Sequence, residues 1–156
     1  MLNAAVGFTA QWLLAVPLLL TMWAIVARRE WRSDLIEAIL AGAFTIALVK
    51  IAGIAYFHTR PFVVYGQLPL VQHVADNSFP SDHLAACGLA IGYLWTRNRM
   101  FAAIGAFCAA LIGTARVLAD LHWPIDIFAG LALGIIAVAI ARRVTASFSV
   151  STGRQN

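Results

Sequence analysis

The chain has 156 residues, of which 62% are hydrophobic and only 12% are charged. A small soluble domain could not bury so much apolar surface, so this composition excludes a soluble enzyme or a disordered chain and indicates an integral membrane protein. The formal net charge is +4, but the cations stand in short clusters between apolar runs, which is typical of membrane orientation signals and not of a nucleic-acid-binding surface.

Five apolar segments follow one another along the chain, and each is predicted to be a membrane-spanning helix. The first lacks the basic residues that open a signal peptide, so we expect it to be retained. The last opens with a proline, which a first helical turn tolerates. The predicted fold is therefore an all-α integral membrane protein with five transmembrane helices, at residues 2–27, 34–57, 80–95, 100–118 and 124–141.

Basic clusters end the first, third and fifth segments, at residues 28–32, 97–99 and 142–143. Five alternating spans place all three clusters on one side, which the positive-inside rule assigns to the cytoplasm. We therefore predict a multi-pass protein of the cytoplasmic (inner) membrane, with its N-terminus outside and its C-terminus inside.

Residues 1–143 are expected to form one transmembrane domain, followed by a polar, frayed cytoplasmic tail at 144–156. The two remaining connections, at 58–78 and 119–123, then face the periplasm or cell exterior together. Chemically active side chains concentrate in and beside these connections, so we expect an active site at the extracytoplasmic face.

Three of these side chains are suited to binding an anion. Arg60 and Arg116 carry planar guanidinium groups that grip phosphate oxygens in bidentate fashion. Ser81 stands at the predicted start of the third helix, where free backbone N–H groups and the helix dipole attract negative charge. The pattern predicts a phosphate-binding site.

Two histidines could supply the reactive groups. His122 and Asp126 are four residues apart and share a face if both are helical, so the carboxylate could hold the imidazole in one tautomer and support its second nitrogen as a nucleophile. His83 provides a second imidazole, able to protonate a leaving oxygen. These are the parts that in-line phosphoryl transfer needs.

The order Arg-Pro, Pro-Ser-x-His and Arg-x5-His-x3-Asp resembles the type-2 phosphatidic acid phosphatase superfamily, membrane enzymes that cleave lipid phosphates without a metal ion. Here the pattern is read at residues 60–61, 80–83 and 116–126. The flanking residues 60–63 and 77–83 are most similar to the bacitracin-resistance branch, which removes the terminal phosphate of undecaprenyl diphosphate outside the cytoplasmic membrane.

The resemblance implies a role for each matched residue. His122 would attack phosphorus and carry a phosphohistidine, Asp126 would orient it, and His83 would protonate the leaving group. The phosphate would be held by Arg60, Arg116 and Ser81. No cofactor or metal ion is implied, and a cavity that contains two arginines repels a cation.

Three positions depart from the family pattern: Ala115 stands where a serine usually precedes the second arginine, Asp82 stands where a glycine is common, and the third departure concerns a lysine. The family usually has a lysine seven residues before the first arginine, where this chain has Gly53. Lys50 lies one helical turn further back, and its long side chain could reach the same phosphate. His58, beside the Arg-Pro element, could contact the substrate, but we favour an interfacial loop residue.

The leading hypothesis is hydrolysis of undecaprenyl diphosphate, an isoprenoid lipid diphosphate in the bilayer, with no nucleic-acid partner. One alternative is the same chemistry on phosphatidylglycerol phosphate, phosphatidic acid or lipid A. Another is a non-enzymatic membrane scaffold or transport subunit, which would leave the cluster of arginine, histidine and aspartate side chains without a role.

Overall fold

The structure, a computed structural model, describes residues 2–152, with side chains as far as residue 147. Within that range the chain is helical, and its only β-type pairing is an isolated bridge between Thr59 and Asn77. The helices are α1 (Leu2–Trp12), α2 (Ala15–Val26), α3 (Trp31–Ala55), α4 (Pro61–Val64), α5 (Asp82–Leu94), α6 (Arg99–Leu118) and α7 (Pro124–Thr152).

Four helical segments are long and apolar enough to cross a membrane, at Leu2–Val26, Trp31–Ala55, Arg99–Leu118 and Pro124–Ser147. The all-helical membrane fold is therefore confirmed. The third predicted span corresponds to α5, which has 13 residues and is about 20 Å long. Because a bilayer core is about 30 Å thick, α5 falls short of a full span. The five-span count stays a prediction.

The first predicted span consists of two helices, which is a difference from the single helix expected. The break lies at Leu13 and Leu14, just before Pro17. Proline has no N–H to donate and its ring clashes with the carbonyl four residues earlier. That carbonyl, of Leu13, accepts instead from Val16 N at 3.1 Å.

The last helix is longer than the sequence suggested. It begins at Pro124 as predicted, but it continues beyond Arg142 and Arg143 to Thr152. The expected frayed tail is thus helical up to that residue, because no glycine or proline interrupts residues 135–152. The remainder of the tail, residues 153–156, lies outside the described residues.

Helix α5 lies at the centre of the bundle and packs most extensively against α7. Glycines allow the two backbones to approach closely: a Cβ at Gly134 would collide with the carbonyl oxygen of Ala85, and one at Gly130 with that of Ser81. The same contact is seen at the start of both helices, where Ser81 N donates to Asp126 O at 3.0 Å. This contact between α5 and α7 is called the seam below. It fixes the position of the motif at residues 80–83 against the motif at residues 116–126.

Charged residues hold the opposite end of the bundle together. Nη2 of Arg97 donates to Asp34 Oδ1 and to Glu37 Oε2, both at 2.8 Å. Arg142 on α7 donates from Nε to Glu37 Oε1 at 3.0 Å. Because these ion pairs are largely buried and multiply hydrogen-bonded, they tie α3 to α7 and to the connection that follows α5.

The seam between α5 and α7 yields a stability prediction. We expect Gly134→Ala to lower the free energy of unfolding by about 1–3 kcal/mol, because the new methyl group meets backbone that cannot yield. Gly42→Ala on α3 is the matched control: a Cβ there meets nothing within 4 Å, so the higher helix propensity of alanine should leave stability unchanged or slightly raised. Denaturant titration in detergent micelles measures both, and equal effects would contradict the close packing.

Candidate active site

Arg60, at the end of the loop after α3, makes hydrogen bonds both to the long polar loop before α5 and to the short loop before α7. Its side chain is buried, with Nη1 donating to Leu121 O at 2.9 Å and Nη2 to Asn77 O at 3.1 Å. Nε donates to Asp76 Oδ1 at 2.8 Å. These bonds occupy three of the five guanidinium N–H groups, so two remain for an anion.

The chain reverses direction at the C-terminus of α6. Asp120 adopts a positive φ of 55°, Asp120 N donates to Val117 O and Leu121 N donates to Arg116 O, both at 3.0 Å. This is a Schellman motif, in which aspartate takes the left-handed position usually held by glycine. The reversal places His122 beside the side chain of Arg116, six residues earlier.

Arg116 is held from two sides. Its Nη1 donates to the carbonyl of Ala10 at 3.0 Å, and its Nη2 donates to His122 Nε2 at 3.1 Å. Ala10 lies in the last turn of α1, where carbonyls have no helical partner and the helix dipole is negative. The broken first span thus provides the acceptor that orients this arginine. Its Nε is buried and has no hydrogen-bond partner among the described residues.

His122 is buried, and its two ring nitrogens have different environments. Nδ1 lies 2.8 Å from the backbone carbonyl of Ser78. A carbonyl can only accept, so Nδ1 carries the proton and Nε2 keeps its lone pair. The structure therefore presents Nε2, beside Arg116, as the nucleophilic atom.

Asp126 does not share a helical face with His122, which corrects the sequence interpretation. His122 precedes α7, and Asp126 stands in its first turn, where Oδ2 accepts from Trp123 N at 2.9 Å as a capping interaction. Its Oδ2 lies 3.7 Å from His122 Nδ1, too far for a hydrogen bond. The tautomer of His122 is set by Ser78 O, and Asp126 supplies negative charge nearby.

His58 lies in the loop after α3, and its side chain is also bonded to the site. Its Nδ1 lies 2.9 Å from Asp126 Oδ1, across 68 positions of sequence. The ring stacks on Trp123, with centroids 5.6 Å apart and planes inclined by 23°. No local sequence pattern signals such a contact; only its neighbour Arg60 marked the segment as functional.

A cavity of about 350 Å³ collects most of the predicted residues. Five of the seven predicted site residues line it, namely Lys50, Arg60, His83, Arg116 and His122. Apolar side chains of α3 and of the following loop form another wall, which includes Val49, Ile54 and Phe79. Two carboxylates, of Asp76 and Asp82, also line it, so the cavity combines three cationic and two acidic side chains with an apolar surface.

Two predicted residues do not line this cavity. Ser81 is fully buried at the start of α5, and its Oγ has no hydrogen-bond partner within residues 2–147. Asp126 is also fully buried, behind His122. By contrast His83, in the first turn of α5, is partly exposed to the cavity.

The departure at Gly53 has a structural reason. A Cβ there would lie 3.2 Å from the carbonyl oxygen of Phe79 and 3.7 Å from Asn77 Nδ2, and Asn77 Nδ2 donates to Gly53 O at 2.8 Å. The loop therefore packs closely on α3, and any side chain at this position would press on the carbonyl of Phe79. Lys50, one turn away, is exposed and lines the cavity.

The surroundings of His122 favour its neutral form. Burial lowers the pKa of His122 from the ordinary value of 6.5, and the charges of Arg116 and Arg60 act in the same direction, while the Asp126 carboxylate opposes them. Burial and the same two arginines also lower the pKa of His73, whose Nε2 lies 3.5 Å from Arg116 Nη2. A neutral imidazole is the form that a nucleophile requires.

The chain is similar in sequence to proteins of one superfamily. The profile of the PAP2 superfamily matches residues 34–148. The protein YbjG of Escherichia coli (strain K12) is 30% identical over 146 residues, which are 91% of this chain and 72% of that protein. Undecaprenyl-diphosphatase BcrC of Bacillus subtilis (strain 168) is 31% identical over 120 residues, or 76% of this chain and 61% of that protein.

Its fold is similar to that of a solved membrane protein. The crystal structure of LpxE from Aquifex aeolicus superposes with a TM-score of 0.70 over 91% of this chain and 84% of that chain. The two sequences are 24% identical, so this likeness concerns the fold.

The environment of His122 predicts its titration. In ¹⁵N-histidine-labelled protein in detergent micelles, we expect its ring to titrate below pH 6.5, because burial and two arginines disfavour the imidazolium form. The resonance is assigned by its absence from the His122→Ala protein. Denatured protein is the reference for an unperturbed histidine, and a midpoint at or above that reference would contradict the geometry.

Proposed function

This chain belongs to the PAP2 superfamily, and from that premise we propose that it hydrolyses undecaprenyl diphosphate to undecaprenyl phosphate and inorganic phosphate. The enzyme is a membrane lipid phosphatase, a hydrolase of phosphoric esters or anhydrides. One observation supports the proposal above the others: an unprotonated His122 Nε2 lines a cavity together with three cationic side chains and an apolar wall.

The reaction proceeds in two displacements. His122 Nε2 attacks the terminal phosphorus, and the Nε2–P bond forms as the bond from phosphorus to the bridging oxygen breaks. A proton passes from His83 to that oxygen, so undecaprenyl phosphate leaves; the negative diphosphate beside His83 favours the protonated imidazole at this step. Water, losing a proton to His83, then attacks the phosphohistidine, the Nε2–P bond breaks and inorganic phosphate is released.

Positive charge stabilises both transition states. Arg60 and Arg116 enter the cavity already held by backbone carbonyls, so their free N–H groups are oriented before the substrate binds. Arg116 Nη2, which donates to His122 Nε2 in this structure, can turn to a phosphoryl oxygen when Nε2 takes up phosphorus. The backbone N–H groups at the start of α5, after Ser81, add to this anion site.

Lys50 acts from deeper in the membrane. It stands on α3 one turn before Gly53, beside the apolar part of the cavity wall. A lipid diphosphate must leave its hydrocarbon chain on that apolar side, so its lipid-linked phosphate lies nearer to Lys50 than its terminal phosphate does. Lys50 therefore takes the part of the lysine that this chain lacks at Gly53.

The site faces the periplasm or cell exterior of a cytoplasmic (inner) membrane. Support comes from the arginines at the opposite end of the bundle, Arg97 and Arg142, together with the exposed Arg29 and Arg143. The positive-inside rule assigns that end to the cytoplasm.

Phosphate release tests the function. We expect detergent-purified protein to release phosphate from undecaprenyl diphosphate in the presence of EDTA, and His122→Ala to lose activity on the order of a thousandfold or more, since the covalent step disappears. Gln67→Ala, at an exposed loop position, is the control and should retain full activity. Faster phosphate release from phosphatidylglycerol phosphate, phosphatidic acid or lipid A than from undecaprenyl diphosphate would show that the proposed substrate is wrong. No phosphate release from any of these lipids would contradict the proposed phosphatase activity.

A further inference from the structure

His58 and Asp126 form a contact that the two displacements do not use. His58 Nδ1 lies 2.9 Å from Asp126 Oδ1, and the carboxylate is fully buried. Since a carboxylate accepts, Nδ1 of His58 donates this bond. The other carboxylate oxygen accepts from Trp123 N at 2.9 Å. Both oxygens are thus occupied, although the carboxylate stands 3.7 Å from the nucleophilic ring.

His58 is held by contacts of its backbone and of its ring, and about a quarter of its side chain, 25%, stays exposed. Its backbone N–H donates to Asn77 Oδ1 at 2.8 Å, and its carbonyl accepts from Ser78 N at 2.9 Å. Its imidazole stacks on Trp123 and lies 5.5 Å, between centroids, from the ring of Tyr56. A loop residue without a role would have no need of such constraint.

Ser78 links the two histidines through its backbone. Its N–H donates to His58 O, and its carbonyl accepts from His122 Nδ1 at 2.8 Å. Asp126 accepts a hydrogen bond from the His58 ring and lies 3.7 Å from His122 Nδ1, the same atom that Ser78 O binds. His58 is therefore connected to His122 by two routes, but it is absent from the residues that line the phosphate cavity.

We propose that His58 is a positioning residue for the reaction: its Nδ1–H holds the Asp126 carboxylate in the place where it compensates the positive charge that develops on His122. This inference rests on the proposed function. When Nε2 bonds to phosphorus and Nδ1 keeps its proton, the His122 ring becomes cationic. A buried carboxylate 3.7 Å away stabilises that ring only while its direction is fixed.

Two substitutions separate the hydrogen bond from the stacking. His58→Asn keeps an N–H donor at the reach of Nδ1 but loses the ring, whereas His58→Phe keeps a ring on Trp123 but cannot donate. We expect His58→Phe to lower kcat about 10- to 100-fold, the usual cost of losing a partner that orients a functional side chain. KM should stay within about twofold, and His58→Asn should keep most of kcat.

A double-mutant cycle tests the route through Asp126. In an Asp126→Asn background, His58→Phe should cause no further loss of kcat, because there is no carboxylate left to hold. If His58→Phe kept the full wild-type kcat while His58→Asn lost activity, the proposal would be overturned, because the stacking of the ring on Trp123 would then matter and the hydrogen bond would not. A rise in KM alone would indicate a substrate contact. His58→Leu, also without a donor, replaces His58→Phe if that protein does not fold.

A measurement without turnover keeps the inference separate from the function. In ¹⁵N-histidine-labelled protein, His58→Phe should shift the His122 Nδ1 resonance and His58→Asn should leave it near its wild-type position. An unchanged resonance in His58→Phe would overturn the positioning role. If wild-type protein released no phosphate from any lipid while this shift was still observed, the proposed function would fail and the link between the histidines would stand.

Discussion

The close approach of α5 to α7 is the constraint on which the site depends. Because Gly130 and Gly134 carry no side chains, the backbone of α7 can lie directly on that of α5, and Ser81 N bonds to Asp126 O. Two sequence motifs some forty residues apart are thereby brought to one depth in the bundle. A phosphoryl-transfer site needs its groups placed to within a fraction of an ångström, and a backbone-to-backbone seam is the stiffest means of achieving that.

Ends of helices then deliver the reactive groups. The Schellman motif at Asp120 returns the chain so that His122 meets Arg116, and the capping interaction of Asp126 places a carboxylate behind the ring. Backbone carbonyls help to orient the key cations and the nucleophile: Ala10 O holds Arg116 and Ser78 O holds His122. Side-chain acceptors would titrate or change rotamer, whereas these carbonyls belong to packed backbone.

Local and compositional signals predicted the fold class and indicated which residues to examine for a site. The apolar runs predicted the helical segments in their correct order, Pro124 marked the start of α7, and five of the seven site residues do line one cavity. Pro17 is a sequence signal for the break between α1 and α2, but mean hydropathy over the whole apolar segment does not reveal a break inside it. The role of Ala10 could not be predicted, since a carbonyl is common to every residue and its partner depends on packing. The same holds for His58, whose partner lies 68 positions away.

The central claim is that His122 Nε2 becomes covalently phosphorylated, and rapid quenching tests it most directly. Protein mixed with undecaprenyl diphosphate carrying ³²P in its terminal phosphate is stopped within milliseconds in alkaline detergent and digested. The account predicts base-stable, acid-labile label on the peptide that contains His122, and none in His122→Ala. Label of equal amount in His122→Ala, or label on another residue, would contradict it.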